Sequence, residues 1–239
     1  MTVMEKLIYL LWKNASQTDS AWRARMRGEL GQALLADGAK SLQFNLVDED
    51  VAAGAGLRIV TQTPPDGLVM FWMRSANDRA ACERHLRAAH ARIAGYLATE
   101  STIQDGAGCR EEGSRSQGFS LLGFLQQPPR LSRAEWFHWW LDHHTRVAVE
   151  TQASFRYVQN VVARELTENA PPLDALVEEG FPVAALASPH AFYDAVGDEA
   201  KYQLHLQRMM DSCHRFIDFD RINSLPSSEY LIRAPGRWE

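Results

Sequence analysis

The chain is predicted to be an α+β protein made of two β-α-β-β-α-β units whose sheets pack face to face as a barrel. Three observations carry that prediction. The hydrophobic period switches between strand and helix values in the same six-step order twice, each time over about 110 to 125 residues. A polar, glycine-rich stretch, Asp105 to Gln117 (DGAGCREEGSRSQ), separates the two series. No glycine-rich βα turn and no regular parallel βαβ series marks a single larger α/β domain. The expected halves are residues 1–112 and 113–239 of the 239-residue chain.

In the first half, Glu5 to Lys13 is a short apolar strand. Asp19 to Leu35 is helical, because Trp22, Met26, Leu30 and Leu34 recur every four residues. Thr18 or Asp19 suits its N-cap and Gly38 follows its end. Ser41 to Asp48 alternates through Leu42, Phe44 and Leu46 as a strand, and Leu57 to Thr61 continues it past a Gly/Ala-rich turn. Gly67 to Met73 is a buried-type strand. Asn77 caps a helix running to about Ile93, and Tyr96 to Ile103 alternates as the closing strand.

The second half restarts with the strand Phe119 to Leu125. Ser132 to Glu150 is a helix, with Ser132 and Glu135 spaced as a capping box. Phe155 to Leu166 is a strand and Thr167 to Pro172 a turn. Leu173 to Phe181 is a weaker strand, Pro189 to Phe216 holds helix broken near Gly197, and Arg221 to Ile232 ends the unit as a strand interrupted at Pro226 and Ser227. This split order makes a ferredoxin-like unit, a four-stranded antiparallel sheet with two helices on one face. Two such units cover each other's bare sheet faces, giving a pseudo-dimeric α+β barrel within one chain.

The bulk properties narrow the function classes. A hydrophobic content of 46% supports real cores, and the charged fraction of 23% is ordinary. The net charge of -5 argues against nucleic-acid or anionic-membrane binding. No apolar run is long enough to span a bilayer and residues 1–6 lack a basic signal region, so a soluble cytoplasmic protein is expected. Cys82, Cys109 and Cys213 are too scattered for a metal or redox motif. Glu178 and Glu179 stand together without an evident acid–base partner, and no nucleophile elbow, P-loop or dinucleotide fingerprint occurs. No metal and no tightly bound cofactor is therefore expected.

The densest chemistry lies in Ser132 to Asn160. Three tryptophans, a phenylalanine and three histidines fall between Trp136 and His144. A wheel at about 100° per residue puts Trp136, Trp140, His143 and Val147 on one stripe, with His144 on its flank. A helix needs only about 100° of apolar surface to hold a sheet, so rings around most of its girth imply burial on several sides or a cavity wall. Adjacent histidines diverge on a helix, unlike the paired ligands of a zinc site. His138 points elsewhere and is read as structural. Tyr157 and Asn160 lie three apart on a strand and face opposite ways; Tyr157 is taken as the one that looks into the barrel.

Glu135-Trp136, Trp140 and His144 resemble the helix pattern of EthD-domain proteins, and Tyr157-Val158-Gln159-Asn160 resembles the Y-x-Q-N strand that follows it there. Ser132-Arg133, Phe181 to Ala191 and Phe216-Ile217-Asp218 are similar to the family's flanking segments, so the likeness spans about Phe119 to Ile232. Thr145-Arg146 depart from the family's small residue and proline. The first half is similar only in architecture, with Trp22 at the helix position of Trp136 and no histidine to match. The resemblance implies a dimeric α+β barrel, selects His144 over His143, and implies cofactor-free oxygenation, dehydration or cyclisation of phenolic or polyketide-like substrates, or haem ring cleavage.

Two functions are expected to compete. In the first, a hydrophobic small molecule sits in an aromatic cleft lined by Trp136, Trp140, His143 and Tyr157, and His144 moves a proton on it. In the second, the protein is a non-catalytic ligand-binding or accessory protein of a catabolic pathway. Haem binding is a weaker third. A homodimer of the tandem is compatible with the sequence.

Overall fold

A computed structural model describes residues 4–234 and 236; the outermost residues of both expected halves lie outside the described residues. The strands are β1 (Glu5–Trp12), β2 (Ser41–Leu46), β3 (Gly67–Met73), β4 (Arg92–Asp105), β5 (Ser114–Arg115), β6 (Phe119–Leu125), β7 (Arg156–Glu165), β8 (Ala175–Phe181) and β9 (Asn223–Arg233). The helices are α1 (residues 19–36), α2 (Ala80–Ala89), α3 (residues 133–151), α4 (Pro189–Phe192) and α5 (Glu199–Phe216).

Eight strands close an antiparallel barrel in the order β2-β3-β1-β4-β7-β8-β6-β9, with β9 returning to pair with β2. The first half contributes β4-β1-β3-β2 and the second β9-β6-β8-β7, and the halves are sewn together by the β4–β7 and β2–β9 ladders. Closure removes the free edges that an open sheet would expose. Helices pack outside the wall, α1 and α2 on the first half and α3 and α5 on the second.

Local chemistry explains the element ends. Thr18 caps α1 by accepting from the Ala21 N–H. Ser132 and Glu135 close the expected capping box at the start of α3, a device that contributes about 1 kcal/mol. Gly38 takes a positive φ of 112° after α1, a conformation that costs glycine nothing.

Several expectations change. Leu57–Thr61 does not extend β2; residues Glu49–Leu57 form a 3-10 helix and Ile59 makes a single bridge to Ser224. Ser75, not Asn77, caps the next helical turn, and α2 ends at Ala89. The glycine-rich divider is partly structured, since β5 pairs with β9. Pro226 does not interrupt β9, and Ala175–Phe181 is a fully paired strand.

Strand alternation sends one face of each sheet to the helices and the other into the barrel. The barrel interior is full. Ile8, Leu10, Leu68, Met70, Tyr96, Leu122, Phe124, Leu176 and Leu225 pack together toward one end. Toward the other, Glu178 accepts from Lys6 at 2.9 Å, Gln43 at 2.8 Å, Arg156 at 3.1 Å and Asn160 at 2.9 Å. These partners hold the Glu178 carboxyl well below the usual range against its own desolvation, with Lys6 and Arg156 doing most of it. Asn160 therefore looks into the barrel. Tyr157, expected to do so, belongs to the opposite face with Gln159 and Val161, and it meets the helices.

Candidate functional site

A cleft of about 180 Å³ lies outside the barrel wall, between the second-half sheet and its helices. Its walls include Trp140 and His144 of α3, Tyr157 of β7, Val177 and Glu179 of β8, Met209, Cys213 and Phe216 of α5, and Phe192 and Tyr193. Leu121, Gly123 and Leu125 of β6 floor it. A Cβ added at Gly123 would meet only Val177, at 3.6 Å, so the missing side chain opens space there.

The backbone of α3 decides which histidine reaches this cleft. Residues His138–His144 are wound as a π-helix, and the Thr145 N–H bonds to the Trp140 carbonyl five residues back. The Thr145 hydroxyl donates to the same carbonyl at 3.2 Å. A π-turn inserts one residue into the α-helical phase and is frequent at functional sites. Position 144 consequently lands where an uninterrupted helix would place 143. His143 does not line the cleft as expected; it lies half-buried outside it, edge-on to the Trp139 ring at 5.5 Å. Trp136 is also absent from the cleft walls. It is completely buried in the core, where its indole N–H donates to the Phe216 carbonyl at 3.1 Å. His138 is exposed beside Asp142.

His144 packs on the Phe216 ring at 4.6 Å and its Nδ1 bonds Ser212 Oγ at 2.9 Å. Nε2 makes no hydrogen bond among the described residues and is left for the cleft that the ring lines. Burial, aided by His143, lowers the His144 pKa to about 4, so the ring is neutral at physiological pH.

Glu179 stands across from Tyr157 in the β7–β8 ladder. It makes no hydrogen bond or ion pair with any described residue. Desolvation without a partner raises the pKa of this half-buried carboxyl to about 7. The adjacent glutamates thus differ completely, because successive strand residues face opposite sides. Glu178 accepts from four side chains in a polar network inside the barrel; Glu179 sits alone among rings outside it.

Tyr157 is buried, and its hydroxyl is held by its neighbours. Gln159 Nε2 donates to it at 3.5 Å and to Thr145 Oγ1 at 2.7 Å. Trp140 Nε1–H lies toward the same hydroxyl without closing a hydrogen bond. Desolvation, with Glu179 beside it, pushes the phenol pKa upward, so Tyr157 keeps its proton. Burial likewise raises Tyr193 to about 12 and Cys213 to about 12, which makes that thiol an inert wall rather than a nucleophile.

The EthD domain model matches residues 128–220. This segment is an EthD domain. It contains α3, β7, β8, α4 and α5, and every polar side chain lining the cleft except Ser224. No curated protein matches the chain. Among solved structures, the fold is similar to that of an anthrone oxidase-like protein, with 9% identity over 97% of this chain and 94% of that one and a TM-score of 0.55. It is also similar to a candidate monooxygenase from Fusobacterium nucleatum subsp. nucleatum, with 7% identity over 96% and 92% and a TM-score of 0.50. A chlorite dismutase from Candidatus Nitrospira defluvii is more distant, at 9% identity over 95% and 90% and a TM-score of 0.49.

The EthD cleft has the size of one aromatic ring with small substituents, since a cavity of about 150 Å³ takes up benzene. The four pyrroles of haem do not fit it as it stands. Among the described residues no three His, Cys, Asp or Glu side chains gather as metal ligands, and no helix is long and apolar enough to cross a membrane. Glu179, Tyr193, Cys213 and Gly123 were not expected in the site. For Glu179 a signal existed: two adjacent charges in an otherwise apolar strand must put one on each face.

Proposed function

We propose that the EthD-domain cleft binds a hydrophobic small molecule carrying a weakly acidic proton, a phenol or an enolisable ketone, and that Glu179 removes that proton. The observation that carries this is the unpartnered carboxylate in an aromatic cleft. A base works best when its pKa lies near the working pH. Glu179 at about 7 meets that condition, whereas His144 at about 4 is some three units too weak. His144 is therefore a neutral hydrogen-bond partner through Nε2, steadied by Ser212 at Nδ1. Tyr157 donates its retained proton in a hydrogen bond to the substrate oxygen, which gains negative charge as Glu179 takes the proton. Trp140 supplies the ring wall.

The product of this step is an enolate or phenolate, the electron-rich form of such a substrate that dioxygen attacks. Oxidation by dioxygen without a tightly bound cofactor is the overall reaction we favour, in line with the oxidase and monooxygenase names of two fold neighbours. The two four-stranded units, residues 1–112 and 113–239, are taken as a tandem of ferredoxin-like units of which only the second carries a site.

Deuterium uptake at the α-carbon of phenylacetone in D2O, followed by proton NMR, tests the proton transfer without knowledge of the natural substrate. The protein should accelerate exchange, and Glu179→Gln should lower that acceleration by ~10²-fold or more. Exchange in the wild type no faster than in buffer would leave the cleft as a non-catalytic binding site.

A further inference from the structure

A second space adjoins the cleft. It is an open groove of about 400 Å³ between the 3-10 helix Glu49–Leu57 of the first half and the turn leading into α4. Ala53, Gly56, Leu57, Ala185, Leu186, Ala187, Ser188 and Pro189 line it, and it shares Phe192 and Tyr193 with the cleft. No charged residue lines it. Its one hydroxyl outside that shared wall, on Ser188, accepts from the Ala191 N–H. The small residues Ala53, Gly56 and Ala187 leave its floor low.

Volume separates a compact ligand from an extended ligand. Ligand pockets usually span about 300–1,000 Å³. The cleft, at about 180 Å³, falls short by itself, and only with the adjoining groove does the site enter that range. Tyr193 stands at the junction. Its hydroxyl has no hydrogen-bond partner among the described residues, and it feels the charge of Glu179 from the cleft side. Phe192 is fixed behind it by stacking on Phe181 at 4.4 Å.

Resting on the proposed function of the cleft, we infer that the groove is a second subsite for the same ligand. The substrate is then a bipartite molecule: a single-ring head with the acidic proton next to Glu179, and an apolar extension that passes Phe192 and Tyr193 into the groove. The first half of the chain supplies some of the binding surface for that extension.

Phenylacetone and its 4-butyl analogue test this by isothermal titration calorimetry. Each methylene buried from water strengthens binding about fourfold, so four partly buried carbons should gain about 20-fold or more. Gly56→Trp and Ala187→Trp fill the groove from exposed positions, and a Cβ at Gly56 meets nothing within 4 Å. Both variants should abolish the butyl gain and leave phenylacetone affinity unchanged, with thermal unfolding confirming that they are folded. Equal affinity of the wild type for the two ligands, or a butyl gain that survives in both filled variants, overturns the second subsite while leaving the cleft intact. Failure of both ligands to bind the wild type overturns the subsite together with the cleft.

Discussion

The two halves share a strand order, yet one is solid where the other is hollow. Matched by ladder register, Tyr9 of β1 pairs with Val69 as Gly123 of β6 pairs with Val177, and Leu42 pairs with Phe71 as Tyr157 pairs with Glu179. On the helices, Trp22, Met26 and Leu30 correspond to Trp136, Trp140 and His144. Both helices wind a π-turn at the same place, with Gly31 bonding back to Met26 as Thr145 bonds back to Trp140. In the first half Tyr9 stacks on Phe71 at 5.6 Å, and Leu30, Leu42 and Phe71 are buried core. Tyr becomes Gly, Phe becomes Glu, one Leu becomes Tyr and another becomes His at these four positions, which turns that packing into an aromatic cleft with three polar groups. The helix backbone is the same in both, so the π-turn alone does not make a site; the side chains around it do.

Breaking the inner side of β8 should have the largest effect. Glu178→Ala takes the shared buried carboxylate from Lys6 and Arg156, leaving them only Glu100 and Glu229, and should cost about 3 kcal/mol of unfolding free energy in urea. On the outer side of the same strand the sign reverses. The folded Glu179 keeps a proton that the unfolded chain releases between pH 4.5 and about 7, so stability falls as pH rises through that window. Glu179→Gln should therefore stabilise the protein by about 2–3 kcal/mol at pH 8 and leave it unchanged at pH 4.

His144 acts in the opposite sense. The unfolded chain takes up a proton that the buried ring refuses between pH 6.5 and about 4, so stability falls as pH drops through that window. In the wild type the two slopes oppose each other over most of that range. In Glu179→Gln, urea titrations should show stability rising with pH between 4 and 6.5, and adding His144→Gln should make that slope shallower; an unchanged slope would show that His144 does not contribute to it.

The first half's side chain can be moved into the second. Gly123→Tyr should fill the cleft as Tyr9 fills its counterpart, weakening phenylacetone binding by about 100-fold, or about 2.7 kcal/mol, in a folded protein. The smallest effect is expected at the imidazole support. Ser212→Ala removes the Nδ1 bond of His144 and should cost about 1 kcal/mol, together with a modest loss of exchange rate in the phenylacetone assay.

Most strands and helices were legible because each has one face on a core and so shows its period. The π-turns were not, although their trace was present. Apolar residues strictly four apart, as in Trp22, Met26, Leu30 and Leu34, drift by about 40° per step on an α-helix; a stripe that stays buried despite the drift needs an inserted residue. A wheel without that insertion favours His143, while the likeness to the EthD pattern points to His144, the histidine that lines the cleft. The faces of β7 and β8 were harder. Both sides of these strands are buried, so alternation does not tell barrel from helix side, and Tyr157 and Glu179 were placed only by the ladder partners that close the barrel. The cleft's depth depends on Gly123, whose meaning appears only beside Tyr9.

Glu179, half-buried in the cleft and without a partner among the described residues, should titrate near neutrality because the cleft desolvates it. Carbon-13 NMR of the glutamate carboxyls, with Glu179→Gln to assign the resonance, measures this directly. One carboxyl should titrate with a pKa of about 7 and be missing from the variant; a Glu179 carboxyl titrating near the ordinary 4.5 would mean that the cleft does not desolvate it.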